Sequence, residues 1–455
     1  MHLKVHKFRL VATERDGDSA LRPPTNGTPL SARGNRGATL KLMPDTKPLL
    51  RSSTEVLTRG FDPSLSVGSA RPAVFRSSTY VFSSPETAER AFDFMAGRAT
   101  PEAGEQIDLV YSRFNHPNAE ILEEQVVPLE TGAHAALVFN SGMAAIVTAL
   151  FAFLRPGDTI VYTVPVYGGT QKLIENFLSA WGVIGIAAPA GQSEKIDDII
   201  RAAKNLRMVL VETPANPTII MTDIQRCVEA AAGVGGEKPL VMVDNTMLGP
   251  AFQHPLQLGA DLVVYSATKY LSGFSDLIGG LVLASDRALI QKIRPLRGLF
   301  GNILQPDECW LLDSRLPTVG LRMNRQSKNA ERIAERLARH PKLKKVLYPS
   351  LFDDPEQIRI RVKQCDFPGA MFSLDVRGGK KGAFEFLRHL RLARNAVSLG
   401  GVETLVCHPK TTTHSGFTEE QFADAGITDG LVRVSVGIED WRDLLADFEQ
   451  ALDTV

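Results

Sequence analysis

Lys269 stands in the segment Ser266-Ala-Thr268-Lys269-Tyr-Leu-Ser-Gly273, directly after the apolar run Ala260-Asp-Leu-Val-Val-Tyr265. The run has the length and β-branched content of a buried strand. A lysine at such a strand end usually snorkels to solvent, and is otherwise desolvated for use. A desolvated amine is a nucleophile that forms a Schiff base with a carbonyl cofactor, whose phosphate the hydroxyls of Ser266 and Thr268 would bind. Asp244 ends a second apolar run, Leu240-Val-Met-Val-Asp244. A strand-end carboxylate is often a helix N-cap. Paired with a strand-end lysine about twenty-five residues later, it has another use. It holds a proton on the pyridine nitrogen of pyridoxal phosphate, so that the ring draws electrons from a carbanion.

Four further segments fit that chemistry, each with a plainer use. Gly142 and Met143, in Asn140-Ser-Gly-Met, end a strand and open a helix, so their N–H groups would face an anion; an ordinary strand-to-helix turn looks the same. Tyr167, in Val166-Tyr-Gly-Gly, can stack on a cofactor ring and move a proton, or pack as a turn residue. Asn216, in Glu212-Thr-Pro-Ala-Asn-Pro, sits in a loop stiffened by two prolines, which suits a side chain held steady against cofactor or substrate. Arg433, in Leu431-Val-Arg-Val-Ser-Val-Gly, either faces solvent or grips an α-carboxylate bidentately.

These residues need elements to hold them. Candidate strands at 135–139, 159–164, 208–212, 240–244, 262–266 and 281–284 alternate with helical patterns at 143–154, 170–180, 195–204 and 223–232. Strands separated by helices of this length imply right-handed crossovers and a mainly parallel sheet covered on both faces. The polar residues gather at strand C-terminal ends, the edge where open α/β sheets bind ligands. Beyond residue 285 the pattern predicts long helices, among them a charge-alternating segment at 322–339 that reads as a solvated connector. A smaller α/β unit follows, with strands at 343–348, 370–376, 394–399 and 431–436, and a closing helix at 441–452.

The 455 residues allow two domains with sizeable cores. Lys+Arg and Asp+Glu both total 51, which leaves no global field to draw nucleic acid or an anionic membrane. Apolar stretches are shorter than a membrane span and broken by Gly or Pro, so no membrane partner is expected. Cys227, Cys309, Cys365 and Cys407 lie far apart without metal-ligand or CxxC spacing, so no metal is expected and a reducing cytoplasm fits. Residues 1–50 show no apolar period and are expected to be mostly disordered, with Met43 an alternative start. Glu14, Asp16, Asp18 and Asp45 weigh against a transit peptide.

In order along the chain, Tyr111-Ser-Arg113-Phe-Asn115, Asn140-Ser-Gly-Met, Val166-Tyr-Gly-Gly, Glu212-Thr-Pro-Ala-Asn-Pro, Val243-Asp-Asn-Thr, Ser266-Ala-Thr-Lys-Tyr, Ser398-Leu-Gly-Gly and Val432-Arg-Val-Ser-Val-Gly closely resemble the pyridoxal-phosphate enzymes of cysteine and methionine metabolism, the cystathionine γ-synthase/methionine γ-lyase family. The resemblance runs from about residue 55 to the C-terminus. It implies the α/β fold-type I transferase architecture: an arm over 51–115 serving a neighbouring subunit, a cofactor domain over 116–310 with a mainly parallel seven-stranded sheet, and a smaller α/β substrate domain over 311–455. It further implies a homotetramer of active dimers. Lys269 resembles the Schiff-base lysine, Asp244 the pyridinium partner and Tyr167 the ring-stacking proton donor. Gly142, Met143, Ser266 and Thr268 resemble the phosphate contacts, joined by Tyr111 and Arg113 from across the dimer. Ser398 and Arg433 resemble the carboxylate clip.

The implied reaction starts with Lys269 taking the α-proton of an amino acid and continues with loss of the γ-substituent. Water then gives an α-keto acid, ammonia and a thiol, the methionine/homocysteine γ-lyase outcome. A thiol or sulfide adding instead gives γ-replacement on an O-acylhomoserine. Val397, before Ser398, stands where cystathionine-handling members have glutamate, which favours a short uncharged γ-substituent. Gly169 stands where familiar methionine γ-lyases carry cysteine, and Asn115-His-Pro-Asn departs from the usual Asn-Pro-Thr. A silent regulatory relative would not need the full set Lys269, Asp244, Tyr167, Arg113 and Arg433, and a transaminase would not need these particular motifs.

Overall fold

The computed structural model describes residues 50–455 apart from 101, 103, 104 and 106, so the stretch expected to be disordered lies outside the described residues up to position 49. Seven strands form the larger sheet: β1 (Ala135–Phe139), β2 (Thr159–Val164), β3 (Ile184–Pro189), β4 (Leu206–Glu212), β5 (Leu240–Asp244), β6 (Leu262–Ser266) and β7 (Gly280–Ala284). Their order is β1-β7-β6-β5-β4-β2-β3. Only β7 is reversed, antiparallel to both β1 and β6. All the other C-terminal ends therefore reach one edge.

The strands read as unbroken apolar runs because both faces are covered. Leu137, Ile160, Leu210, Met242 and Val264 pack against the helices Gly142–Phe153 and Arg287–Phe300. Val138, Val161, Val211, Val243 and Val263 pack on the opposite side, with the helices Pro117–Val126, Ile224–Ala232 and Pro306–Arg315. Six of the seven strands were expected from the residues; β3 was not. It is an edge strand, largely exposed, and its Ile-Gly-Ile-Ala-Ala-Pro carries neither alternation nor a β-branched run. Gly185 is needed there, because a Cβ would stand 2.7 Å from Ile174 Cγ2.

A second, five-stranded sheet has the order β10-β11-β12-β9-β8, from β8 (Leu343–Leu347), β9 (Met371–Val376), β10 (Arg394–Asn395), β11 (Leu405–Cys407) and β12 (Leu431–Ser435). The strand expected over 394–399 stops after two residues, because Ser398 turns into the left-handed region at φ 84°. The three-residue β11, Leu-Val-Cys, is too short to stand out as a strand.

The helix Val319–Leu337 corrects a second expectation. It is not a solvated connector, since Val319, Met323, Ala330, Ile333 and Leu337 are buried along one face, together with Arg322, Gln326 and Asn329. Arg322 Nη1 donates to Tyr270 O at 2.6 Å and Gln326 Nε2 to Gly401 O at 2.7 Å. One helix thereby holds the turn after Lys269 and the loop after Ser398. Gly273, at φ 77°, leaves room for it: a Cβ would lie 2.0 Å from Arg322 Nη1.

Ahead of the helix Pro117–Val126, the described residues form the short helices Ser52–Glu55, Pro63–Ser66 and Pro85–Met95, and the stretch at Ala73–Phe75 is tied down by Asn118. Its amide accepts from Phe75 N–H at 2.9 Å and donates to Ala73 O at 2.8 Å. His116 caps that helix, its Nδ1 accepting from Ala119 N–H at 3.1 Å while Nε2 bonds Leu304 O at 2.8 Å. The departure at Asn115-His-Pro-Asn thus keeps the capping function with an imidazole, and burial holds that ring below the ordinary histidine range. Among the described residues no helix is long and apolar enough to cross a membrane.

Candidate active site

The site is a continuous chain of contacts along the shared strand edge. Lys269 Nζ, in the turn after β6, donates to Ser398 Oγ at 2.8 Å. The carbonyl of Ser398 accepts from Arg433 Nη2 at 2.5 Å, and Arg433 Nη1 lies 3.3 Å from Asn216 Oδ1. Asn216 N–H donates to Glu212 Oε1 at 3.1 Å, and Tyr167 N–H donates to Glu212 Oε2 at 2.7 Å. Glu212 pairs in register with Asp244 on the next strand. Sequence positions from 167 to 433 therefore converge within a few bonds.

Electrostatics mark the same place. Burial, assisted by the guanidinium of Arg433, lowers the Lys269 amine to about 8, so a reactive neutral form is accessible near neutral pH. Asp244 Oδ1 accepts from Thr246 N–H at 3.0 Å, yet burial still raises its carboxyl. Glu212 is also pushed up, first by burial and then by the facing Asp244. Two adjoining carboxyls at such a site share one charge far more readily than two. Arg433 is 2% exposed, and its Nε is buried without a hydrogen-bond partner among the described residues. That leaves donor capacity for a ligand.

The helix Gly142–Phe153 starts against β6. Ser141 caps it, Oγ accepting from Ala144 N–H at 3.0 Å, which leaves the N–H groups of Gly142 and Met143 ahead of the first turn. Gly142 is held there by space: a Cβ would meet Ser266 Cβ at 2.9 Å and Ser266 Cα at 3.0 Å. The absence of a side chain lets the helix N-terminus and the Ser266 hydroxyl converge, as an anion requires. Thr268 turns its Oγ1 to Gly279, accepting from its N–H at 3.0 Å.

Tyr167, 46% exposed, stands at the N-cap of the helix Gly168–Lys172. A Cβ at Gly169 would lie 2.6 Å from Tyr167 Cε1 and 3.0 Å from Met143 Sδ, so this glycine lets the tyrosine ring lie beside Met143. Val397 is 54% exposed beside Ser398. Tyr111 and Arg113 do not join this chain of contacts. Arg113 stacks 4.4 Å from the Phe114 ring centroid and bonds the carbonyl of Gly298, while Tyr111 bridges to Thr79 and is exposed.

Glu212 and the clamp of Arg322 with Gln326 were not singled out from the sequence. Glu212 did carry a signal, as a carboxylate ending an apolar run like that before Asp244. Buried His414 is another: its Nδ1 lies 2.9 Å from Thr413 Oγ1, and burial beside Arg433 holds it down at about 4.

An α/β sheet edge that brings a partly desolvated lysine, a buried acid and a glycine-opened helix N-terminus together fits pyridoxal phosphate in its donor set, and defines a cofactor-dependent enzyme of the fold-type I class. Residues 53–453 match the family described as Cys/Met metabolism PLP-dependent enzyme, and the chain belongs to that family. It is 39% identical to an L-methionine gamma-lyase of Fusobacterium nucleatum subsp. nucleatum, over 85% of this chain and 94% of that protein. It is likewise 39% identical to a cystathionine gamma-lyase of Bacillus subtilis, over 78% and 91%. In structure it resembles a cystathionine gamma synthase from Xanthomonas oryzae pv. oryzae solved with cystathionine, with TM-score 0.80 and 34% identity, covering 89% of this chain and 98% of that one.

Proposed function

We propose that this enzyme catalyses γ-elimination on a sulfur amino acid of the methionine or homocysteine type, releasing an α-keto acid, ammonia and a thiol. The observation that carries this reading is Val397, exposed and apolar beside Ser398, which offers no charge to a distal ammonium or carboxylate on the substrate. The names borne by several relatives lend support.

Lys269 would carry pyridoxal phosphate and would be the base that takes the substrate's α-proton. When bound, the cofactor supplies an electron sink for the charge left on the substrate carbon. Asp244 would hold a proton at the pyridine nitrogen. The N–H groups of Gly142 and Met143 and the hydroxyls of Ser266 and Thr268 would hold the phosphate. Asn216 contacts the cofactor, and Arg433 with Ser398 grips the substrate carboxylate. Tyr167 would cover the ring and give a proton to the departing sulfur. Tyr111 and Arg113 of the partner subunit complete the phosphate site in a homotetramer of active dimers, in the cytoplasm.

The cystathionine gamma synthase neighbour favours a second reading, γ-replacement on an O-acylhomoserine. The two separate by product analysis with methionine, cystathionine and O-acylhomoserines, each with and without sulfide or cysteine. α-Ketobutyrate from methionine alone is expected; thioether formed only from an O-acyl donor overturns the lyase in favour of the replacement enzyme.

A further inference from the structure

We infer that Glu212 is a positioning residue of this site: its single buried carboxyl fixes both the tyrosine over the cofactor and the asparagine that steadies the carboxylate clip. The inference rests on the cofactor site proposed above. Glu212 is 6% exposed at the C-terminal end of β4, in register with Asp244. Its own N–H donates to Thr163 Oγ1 at 3.0 Å, which fixes its backbone between β2 and β5. Each carboxyl oxygen then takes one backbone N–H, Oε2 from Tyr167 at 2.7 Å and Oε1 from Asn216 at 3.1 Å.

These two donors start the loops that deliver everything else. Tyr167 N–H fixes the entry to the helix Gly168–Lys172, and with it the ring that rests over Gly169. Asn216 sits four residues past Glu212 and presents Oδ1 to Arg433. Two N–H donors facing one side chain need two acceptor oxygens. A glutamine supplies one oxygen and one amine, so one backbone donor would face another donor in a buried place. The adjoining Asp244 adds a second constraint: burial raises both carboxyls, Asp244 raises Glu212 further, and the two accepted N–H groups offset part of that rise at Glu212.

The test compares wild type with Glu212→Gln and Glu212→Asp, all loaded with pyridoxal phosphate. Borohydride reduction and mass analysis establish that cofactor is fixed on Lys269 in each. The expected result for Glu212→Gln is retained cofactor with visible-band circular dichroism reduced by about half, and kcat/KM for L-methionine down ~10–100-fold with a raised KM, the range expected for one unsatisfied buried donor. Glu212→Asp keeps both acceptors a methylene short and is expected between the two. Wild-type dichroism and KM in Glu212→Gln overturn the inference, as does a loss of melting temperature in both variants with dichroism unchanged. The dichroism needs no turnover. A wild type inactive on methionine therefore ends the lyase reading while the dichroism still decides the role of Glu212. A wild type that takes up no cofactor ends both.

Discussion

An amine that must attack a carbonyl has to give up its proton first, and the surroundings of Lys269 pull in that direction. Burial and Arg433 lower its pKa from 10.5 to about 8. The neutral fraction grows as pH rises through that value, so loading of cofactor-free protein is expected to accelerate with a midpoint near 8 rather than near 10.5. Replacing Arg433 by Met removes the charge that assists the shift, and the midpoint should move up. Stopped-flow absorbance of cofactor binding across pH 6–10 reads both, and a wild-type midpoint above about 10 would refute the desolvated site. Ser398 bears a different cost, holding φ 84° without being glycine. Ser398→Gly and Ser398→Ala both remove the oxygen facing Lys269, but only glycine relieves the backbone. Ser398→Gly is expected to be the more stable of the two by about 1 kcal/mol, read from paired thermal melts, while both lose affinity for the substrate carboxylate.

At the scale of elements, two strand ends and a helix start carry the site, and these were the parts the sequence made legible. Asp244 and Lys269 stand out because a charged residue closing a β-branched run violates the run's own pattern. The same logic applied to Glu212 would have found it. What sequence could not reveal is contact between loops: Lys269 and Ser398 are 129 residues apart and meet only when the two sheets are docked. Likewise the buried side of the helix Val319–Leu337 is disguised by polar residues that serve as buried donors to backbone carbonyls, so charge alternation mimics a solvated face. Packing gives a direct test of the helix start. Gly142→Ala puts a Cβ about 3 Å from the β6 backbone at Ser266, where neither element can give way without displacing the other. Overpacking of this kind costs roughly 1–3 kcal/mol. The expected result is a modest loss of melting temperature with at least tenfold weaker retention of cofactor on dialysis; retention equal to wild type would remove Gly142 and Met143 from the phosphate site.

At the scale of the whole molecule, a single chain leaves its arm uncovered. Val67 is 88% exposed and Val81 95%, while Tyr111 and Arg113 lie outside the contact network that links Lys269 to Asp244. In the dimer proposed above, the arm of a second copy would bring Arg113 to the first copy's phosphate site. A two-fold dimer then holds two sites, each with Lys269 from one chain and Arg113 from the other. Lys269→Ala and Arg113→Ala are each expected to be nearly inactive alone. Mixed, unfolded together and refolded, half the dimers are hybrids, and each hybrid has one site with both residues intact. Activity of the mixture should therefore recover to ~25% of wild type at random assortment. If Arg113 instead served its own chain's site, the intact lysine and the intact arginine would never meet, and mixing would restore nothing. The recovered fraction in the refolded mixture thus decides whether the arm crosses the interface.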